Sequence, residues 1–101
     1  MKHSMETYQL FFGSLSNPNR LEIINLLRKG KLNVTEICQA TGFEQTMVSH
    51  NLKRLENCGM VYSMRKGKFK YYGLNKTTIR PLMKLIDEHM SVYCSELIRK
   101  K

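Results

Sequence analysis

The amino-acid sequence predicts a mainly helical domain with one small β-hairpin, which is an α+β fold class. Apolar residues recur at helical spacing through most of the 101 residues, whereas aromatic and β-favouring residues concentrate between Met60 and Leu74. The sequence contains no repeat, low-complexity run or Gly/Ser-rich linker, and its 42% apolar content suits one ordinary core. We therefore expect residues 1–101 to form a single domain.

Two amphipathic helices are predicted before Gly30. The first covers about residues 5–15, and its apolar residues recur at helical spacing: Tyr8, Phe11, Phe12 and Leu15. The second follows residues 16–19, which supply capping side chains and a proline suited to a first helical turn. Gly30 is well placed to end this second helix.

Residues 34–57 are predicted to form a helix-turn-helix. A helix of about two turns ends at Thr41 and Gly42, and a second helix runs from about Gln45 to Asn57. The apolar residues of the second helix are Met47, Val48, Leu52 and Leu55. Polar residues occupy its other faces, so one side can pack on the core while another side meets a partner.

A two-stranded hairpin with a basic tip is predicted at residues 60–74. Both of its halves are rich in β-favouring residues, and Lys66, Gly67 and Lys68 lie between them. Over residues 77–98 the apolar residues again recur at helical spacing, which predicts one helix. This helix is longer than the small preceding part of the domain requires. The order of helix, turn, helix and basic hairpin predicts a winged helix-turn-helix, with the hairpin as the wing.

The charge balance indicates a polyanionic partner. The chain has 17 Lys and Arg against 8 Asp and Glu, a formal charge of +9, which attracts nucleic acid or, less often, an anionic membrane surface. No apolar run approaches the roughly 20 residues of a membrane span. The first residues also lack the apolar stretch and cleavage site of a secretory signal. We expect a soluble, cytoplasmic protein with no membrane partner.

The second helix of the helix-turn-helix carries side chains that can read a DNA major groove. Gln pairs with adenine, Arg and Lys pair with guanine, and Ser, Thr and His reach base edges or phosphates. The candidate DNA-binding residues of this helix are Gln45, Thr46, Ser49, His50, Lys53 and Arg54. The hairpin adds four cations within six positions as a phosphate or minor-groove arm, namely Arg65, Lys66, Lys68 and Lys70.

Each of these features alone has a purely structural explanation. Lysines on edge strands prevent aggregation, and a polar exposed face is normal for any surface helix. Their combination in this order is what indicates double-stranded DNA as the partner. The alternative function is a winged helix that binds RNA or another protein without reading DNA.

No residue pattern typical of an enzyme is present. The sequence lacks a Gly-rich phosphate loop and a Ser/His/acid set. Ser49 and His50 are neighbours on a predicted helix, where adjacent residues point about 100° apart. They cannot form a catalytic dyad, and we expect no enzymatic activity.

Nearly the whole chain resembles the ArsR/SmtB family of winged-helix repressors. The resemblance rests on residues 17–27, on Val-Ser-His-x-Leu at 48–52 with Leu-x-x-x-Gly-Met-Val at 55–61, and on the basic wing. It implies three helices, then a recognition helix, a two-stranded hairpin that forms the wing, and a last helix. It also implies a homodimer formed by the helices at 5–15 and 77–98. The apolar stripe of the last helix independently favours dimerisation. A two-fold dimer implies a palindromic operator.

The metal-sensing positions of the family are largely absent. The family's Cys-x-Cys pair before the recognition helix is matched by Cys38, but Ala40 takes the second position. At the second family site this chain has Lys76, Thr78, His89 and Val92. Zinc requires three or four Cys, His or carboxylate ligands. We therefore predict no metal and no cofactor, with Cys38 and His89 as the remnants of the two sites.

The three cysteines lack a C-x-x-C motif and are widely spaced, as is typical of reduced thiols in a cytosol. A redox pair of Cys38 and Cys94 stays open, because geometry decides whether a disulfide can form. We expect His89 to be solvated, with a metal shared between subunits or titration near neutral pH as alternatives. The sequence identifies no effector.

Overall fold

The computed structural model describes residues 4–99, except for the side chain of Ser95. Its elements in chain order are α1 (Met5–Leu15), α2 (Pro18–Leu27), β1 (Leu32–Asn33), α3 (Val34–Thr41), α4 (Gln45–Asn57), β2 (Val61–Lys66), β3 (Phe69–Leu74), α5 (Ile79–Val92) and α6 (Cys94–Arg99). The predicted bounds of α1 and α4 agree with the structure residue for residue. The mainly helical fold class is confirmed.

Side-chain caps determine where α2 and α3 begin. Asn17 Oδ1 accepts a hydrogen bond from the Arg20 N–H at 3.0 Å, and proline follows in the first turn of α2. Asn33 and Glu36 form a reciprocal capping box: Asn33 Oδ1 accepts from the Glu36 N–H at 2.8 Å, and Glu36 Oε1 accepts from the Asn33 N–H at 2.9 Å. These bonds satisfy donors that the first helical turn leaves unpaired.

The wing belongs to a three-stranded antiparallel sheet of order β1-β3-β2 rather than to an isolated hairpin. In β1, Leu32 pairs with Tyr72 and Asn33 pairs with Tyr71. The sequence did not predict β1, because a two-residue strand has no periodicity of its own. This third strand attaches the base of the wing to the helix-turn-helix.

The core lies between α2, α3, α4 and the sheet. Completely buried side chains from these elements and from the turn before β2 are Ile23, Ile24, Leu27, Ile37, Val48, Leu52, Leu55 and Met60. In α5 only Ile79 and Met83, in the first two turns, are buried. Leu82 and Ile86 also pack against the core as partly buried side chains, whereas residues 87–92 are exposed.

The prediction of one helix over residues 77–98 is wrong. Asn75 Oδ1 accepts from the N–H groups of Thr77 and Thr78 at 2.9 and 3.1 Å, so these residues form a turn before α5. Tyr93 separates α5 from α6: its ψ of −54° is helical, but its φ of −108° lies well outside the usual helical range. No glycine or proline marks this break in the sequence. None of the helices in the described part of the chain is both long and apolar enough to cross a membrane.

Candidate nucleic-acid interface

Helix α4 has a buried apolar face and an exposed polar face. Val48, Leu52 and Leu55 are completely buried. The residues that the sequence predicted to contact DNA all lie on the exposed surface of this helix: Gln45, Thr46, Ser49, His50, Lys53 and Arg54. Because the core fixes the helix, these polar side chains are presented on a rigid element.

A tight turn joins α3 to α4. Gly42 ends α3 in the left-handed conformation, with φ of +79°. Thr41 Oγ1 donates to Ile37 O at 2.7 Å and accepts from the Phe43 N–H at 3.1 Å. Helix α4 then begins after Glu44, and no side chain in the described part of the chain caps its N-terminus. Its first N–H groups remain available to an anion such as a backbone phosphate.

A buried arginine connects α4 to α1 and α2. Arg20, in the first turn of α2, is 9% exposed, and Asn51 of α4 is 7% exposed. Arg20 Nη1 donates to Asn51 Oδ1 at 3.1 Å, Nε donates to Ser14 O at 2.8 Å, and Nη2 donates to Gly13 O at 3.2 Å. A buried charge is tolerated only when its donors are satisfied, and three acceptors meet that need. No local sequence pattern reveals this contact, because its partners lie far apart in the chain.

A neighbouring polar contact involves Arg54 and Cys58. Ser14 Oγ lies 3.3 Å from Cys58 Sγ and accepts from Arg54 Nε at 3.4 Å. Burial, and secondly the positive charge of Arg54, lowers the pKa of the Arg20 guanidinium, whereas Cys58 acts in the opposite direction. Arg54 thus contacts α1 as well as solvent, which restrains its reach towards a groove.

A hydrogen bond joins the wing to the polar face of α4. Ser63 Oγ, on β2, donates to Glu56 Oε2 at 2.6 Å. Glu56 follows Lys53 by three residues and Ser49 by seven, so the three side chains lie along one stripe of the helix. Strand β2 therefore packs at the end of the stripe that carries predicted base-contacting residues.

The strand register divides the four exposed wing cations between faces. Arg65 and Lys70 are cross-strand partners, and they share a sheet face with Ser63 because side chains alternate along a strand. Lys66 lies on the opposite face, and Lys68 lies in the two-residue turn. The face that contacts α4 therefore continues outward into two cations of the wing.

Lys31 is a further cation beside the wing, and no sequence pattern singled it out. Its Nζ lies 3.4 Å from Met64 Sδ and 5.9 Å from the ring centroid of Tyr62. Lys31, Met64, Lys66 and Tyr71 line one cleft of about 510 Å³. Lys31 reaches the wing because it directly precedes β1, the strand that the sequence did not predict.

Large apolar side chains remain exposed on the terminal helices. On α1 they are Met5, Tyr8, Leu10 and Phe12, and on α5 and α6 they include Met90, Val92, Leu97 and Ile98. A mainly apolar cleft of about 480 Å³ lies where α1, α2 and α5 meet. Exposed apolar surface of this extent is typical of an interaction site.

The metal and redox candidates are dispersed over three helices. Cys38 in α3 and Cys94 in α6 are half-buried free thiols, and the exposed His89 of α5 has its ring 4.7 Å from that of Tyr93. Within residues 4–99, no three His, Cys, Asp or Glu side chains lie close enough together to hold a metal ion. Cys38 and His89 therefore belong to no such cluster there.

Comparison with known proteins points to one family. Residues 17–63 match the family described as "Bacterial regulatory protein, arsR family". The HTH-type transcriptional regulator NmtR of Mycobacterium tuberculosis is 41% identical over 82% of this chain and 65% of its own length, so the chain spans just under two thirds of that relative. The transcriptional repressor SdpR of Bacillus subtilis is 32% identical over 68% of this chain and 77% of its own length.

A solved structure shares the whole arrangement. The homodimeric winged helix-turn-helix DNA-binding domain of a possible ArsR-family regulator from Mycobacterium bovis superposes with a TM-score of 0.80. It is 27% identical, and the match covers 92% of each chain. Helices α3 and α4 form the helix-turn-helix, and β2 and β3 form the wing. The chain belongs to the ArsR family of bacterial regulatory proteins and has its winged helix-turn-helix fold.

Proposed function

We propose that this protein is a transcriptional repressor that binds double-stranded DNA as a homodimer in the cytoplasm. Helix α4 would enter the major groove while the wing contacts the flanking backbone. The Ser63–Glu56 hydrogen bond carries the proposal, because it continues the polar stripe of α4 into the wing face that bears Arg65 and Lys70. One stretch of duplex can then touch both elements.

The two elements have different roles in this proposal. Base edges are read from α4 by its exposed polar side chains, namely Gln45, Thr46, Ser49, His50 and Lys53. Arg54, which is also bonded to Ser14, is assigned to a backbone phosphate. The wing cations contact phosphates, and together with the formal charge of +9 they supply affinity that is independent of sequence.

The homodimer follows from the exposed apolar side chains of α1, α5 and α6. A second copy would bury them, and the M. bovis domain with the same fold is described as homodimeric. A two-fold axis sets the two α4 helices about one turn of DNA, roughly 10 base pairs, apart. The expected operator is therefore palindromic. Repression rather than activation is proposed because SdpR is a repressor.

Fluorescence anisotropy tests this function directly. The region upstream of the protein's own gene is compared with a scrambled duplex of the same composition and with double-stranded RNA, at 50 and 200 mM salt. We expect preference for the upstream duplex, and a fall in its affinity of about a thousandfold between the two salt concentrations if six phosphates are contacted. An affinity that does not change with salt concentration, or tighter binding to double-stranded RNA than to the upstream duplex, would contradict the proposal.

A further inference from the structure

We propose that a cationic cleft between α2 and α5 binds a small, multiply charged anion of the phosphate type. The cleft has a volume of about 830 Å³, and its charged lining residues are Arg28, Lys29, Lys76, Arg80, Lys84 and Asp87. A volume of this size accommodates a small molecule. The residues come from the end of α2, from the turn after β3 and from α5, none of which carries a predicted DNA-contacting residue.

The charge of the cleft is strongly one-sided. Five of its lining residues are cations and one is a carboxylate. Like charges held this close repel one another unless an anion neutralises them. Asp87 neutralises only part of the excess, through an ion pair of 2.7 Å between Arg28 Nη1 and Asp87 Oδ2. The five cations and one carboxylate leave an excess of four positive charges, which a multiply charged anion would reduce more than a monovalent one.

The two arginines are already oriented before any ligand binds. Arg80 Nη1 donates to the main-chain oxygen of Arg28 at 2.9 Å, which fixes α5 against the end of α2. Arg28 Nη1 also donates to Asn25 Oδ1 at 3.1 Å. Planar guanidinium groups match the oxygens of a phosphate with paired hydrogen bonds. Lys29 and Lys84, which are exposed, supply further positive charges at the rim of the cleft.

The ligand would compete with Asp87 for Arg28. The side chains of this pair are 26% and 48% exposed, and ion pairs at such exposed positions contribute little to stability. Anion binding would therefore exchange the Arg28–Asp87 pair for a pair between Arg28 and the ligand. Because that pair connects α2 to α5, its loss would change how α5, with its exposed apolar side chains, is held.

An NMR titration with inorganic pyrophosphate, at constant ionic strength set with chloride, tests the site on the full chain. Three variants accompany the wild type. Lys29→Gln with Lys84→Gln removes the rim charges, Asp87→Asn removes the competing carboxylate, and Lys66→Gln with Lys68→Gln is the matched control on the wing. All these side chains are exposed, and Asp87 is half-exposed, so each variant is expected to fold.

We expect saturable amide shifts concentrated at the end of α2 and the first half of α5. The rim variant should bind pyrophosphate about fivefold to tenfold more weakly, the Asp87→Asn variant more tightly than wild type, and the wing variant unchanged. Shifts that do not saturate, or equal weakening in the rim and wing variants, would show general attraction to a basic protein and overturn the site. Rim variants that lose affinity for duplex DNA but not for pyrophosphate would instead assign the patch to DNA, with the proposed function intact.

Discussion

At the scale of single residues, the orientation of α4 depends on a buried polar contact as well as on its apolar side. Val48, Leu52 and Leu55 anchor the helix to the core, but apolar packing tolerates rotation and sliding. The hydrogen bond from Arg20 Nη1 to Asn51 Oδ1 does not tolerate such movement, because a displaced helix would leave a buried guanidinium donor unpaired. Arg20 thereby acts as a positioning residue for the proposed DNA-reading side chains.

Replacing Asn51 by Ala is expected to destabilise the protein by about 1–3 kcal/mol, because it leaves one donor of Arg20 buried without an acceptor. Urea unfolding followed by circular dichroism measures the loss. Asn57→Ala, on the same helix but exposed, is the control and should change stability by less than about 0.5 kcal/mol. Equal losses in the two variants would mean that Arg20 finds other acceptors and that the contact does not hold α4.

Gly73 is a second residue whose identity is set by a neighbour across the sheet. Its register partner is Tyr62, and a Cβ added at Gly73 would lie 2.7 Å from the Tyr62 ring. Only glycine therefore leaves room for the half-buried Tyr62 ring at this position of β3. Gly73→Ala should cost about 1–3 kcal/mol through overpacking. In a Tyr62→Val background the same change should cost less than about 0.5 kcal/mol, and thermal unfolding of the four proteins provides this double-mutant cycle.

At the scale of elements, local signals predicted α1, α2, α3 and α4 well. The caps and the apolar spacing of these helices can be recognised within a few neighbouring residues, as at Asn17 and Gly42. The features that were missed depend on partners far along the chain or on a backbone bend without a marker residue. These are β1 against β3, the contact between Arg20 and Asn51, and the break at Tyr93. The exposed position of the candidate DNA-binding residues of α4 followed from helical periodicity alone.

Helix α4 and the wing should be separable by their effect on DNA specificity. Ser49→Ala with His50→Ala removes side chains proposed to reach base edges, so affinity for the operator should fall about tenfold or more while scrambled duplex binds almost as before. Anisotropy titrations with both duplexes measure this. Because both side chains are exposed, the melting temperature should stay close to that of wild type.

The wing should contribute affinity without specificity. Arg65→Gln with Lys70→Gln, on the wing face that continues from α4, should weaken binding to both duplexes by similar factors. The slope of log affinity against log salt should fall by about 2, because each of these two cations neutralises one phosphate in the wild-type complex. Lys29→Gln with Lys84→Gln, outside the wing and α4, removes the same two charges and serves as the control for net charge. If the wing and α4 variants gave the same profile, the proposed division of roles would be wrong.

At the scale of the whole molecule, one subunit leaves too much of its terminal helices unburied to be the complete functional unit. The exposed fractions of Phe12 and Leu97 are 60% and 68%. The last buried or partly buried side chain of α5 is Ile86, and residues 96–99 of α6 are exposed. The dimer would thus order the terminal helices and space the two α4 helices on DNA at the same time.

Charged substitutions at these helices should therefore separate dimerisation from folding. In Phe12→Glu with Leu97→Glu, dimerisation would bury unpaired carboxylates, and we expect the dimer to weaken by at least about a hundredfold while helical content is retained. Sedimentation velocity measures the mass, and circular dichroism measures the helices. Phe69→Glu, which charges a 51% exposed ring on the wing instead, should remain dimeric. The monomeric variant should bind one operator half-site as wild type does but lose the gain from a second half-site, because each α4 would then bind independently. A double variant that stayed dimeric would place the subunit interface elsewhere, and the spacing predicted for the operator would fail with it.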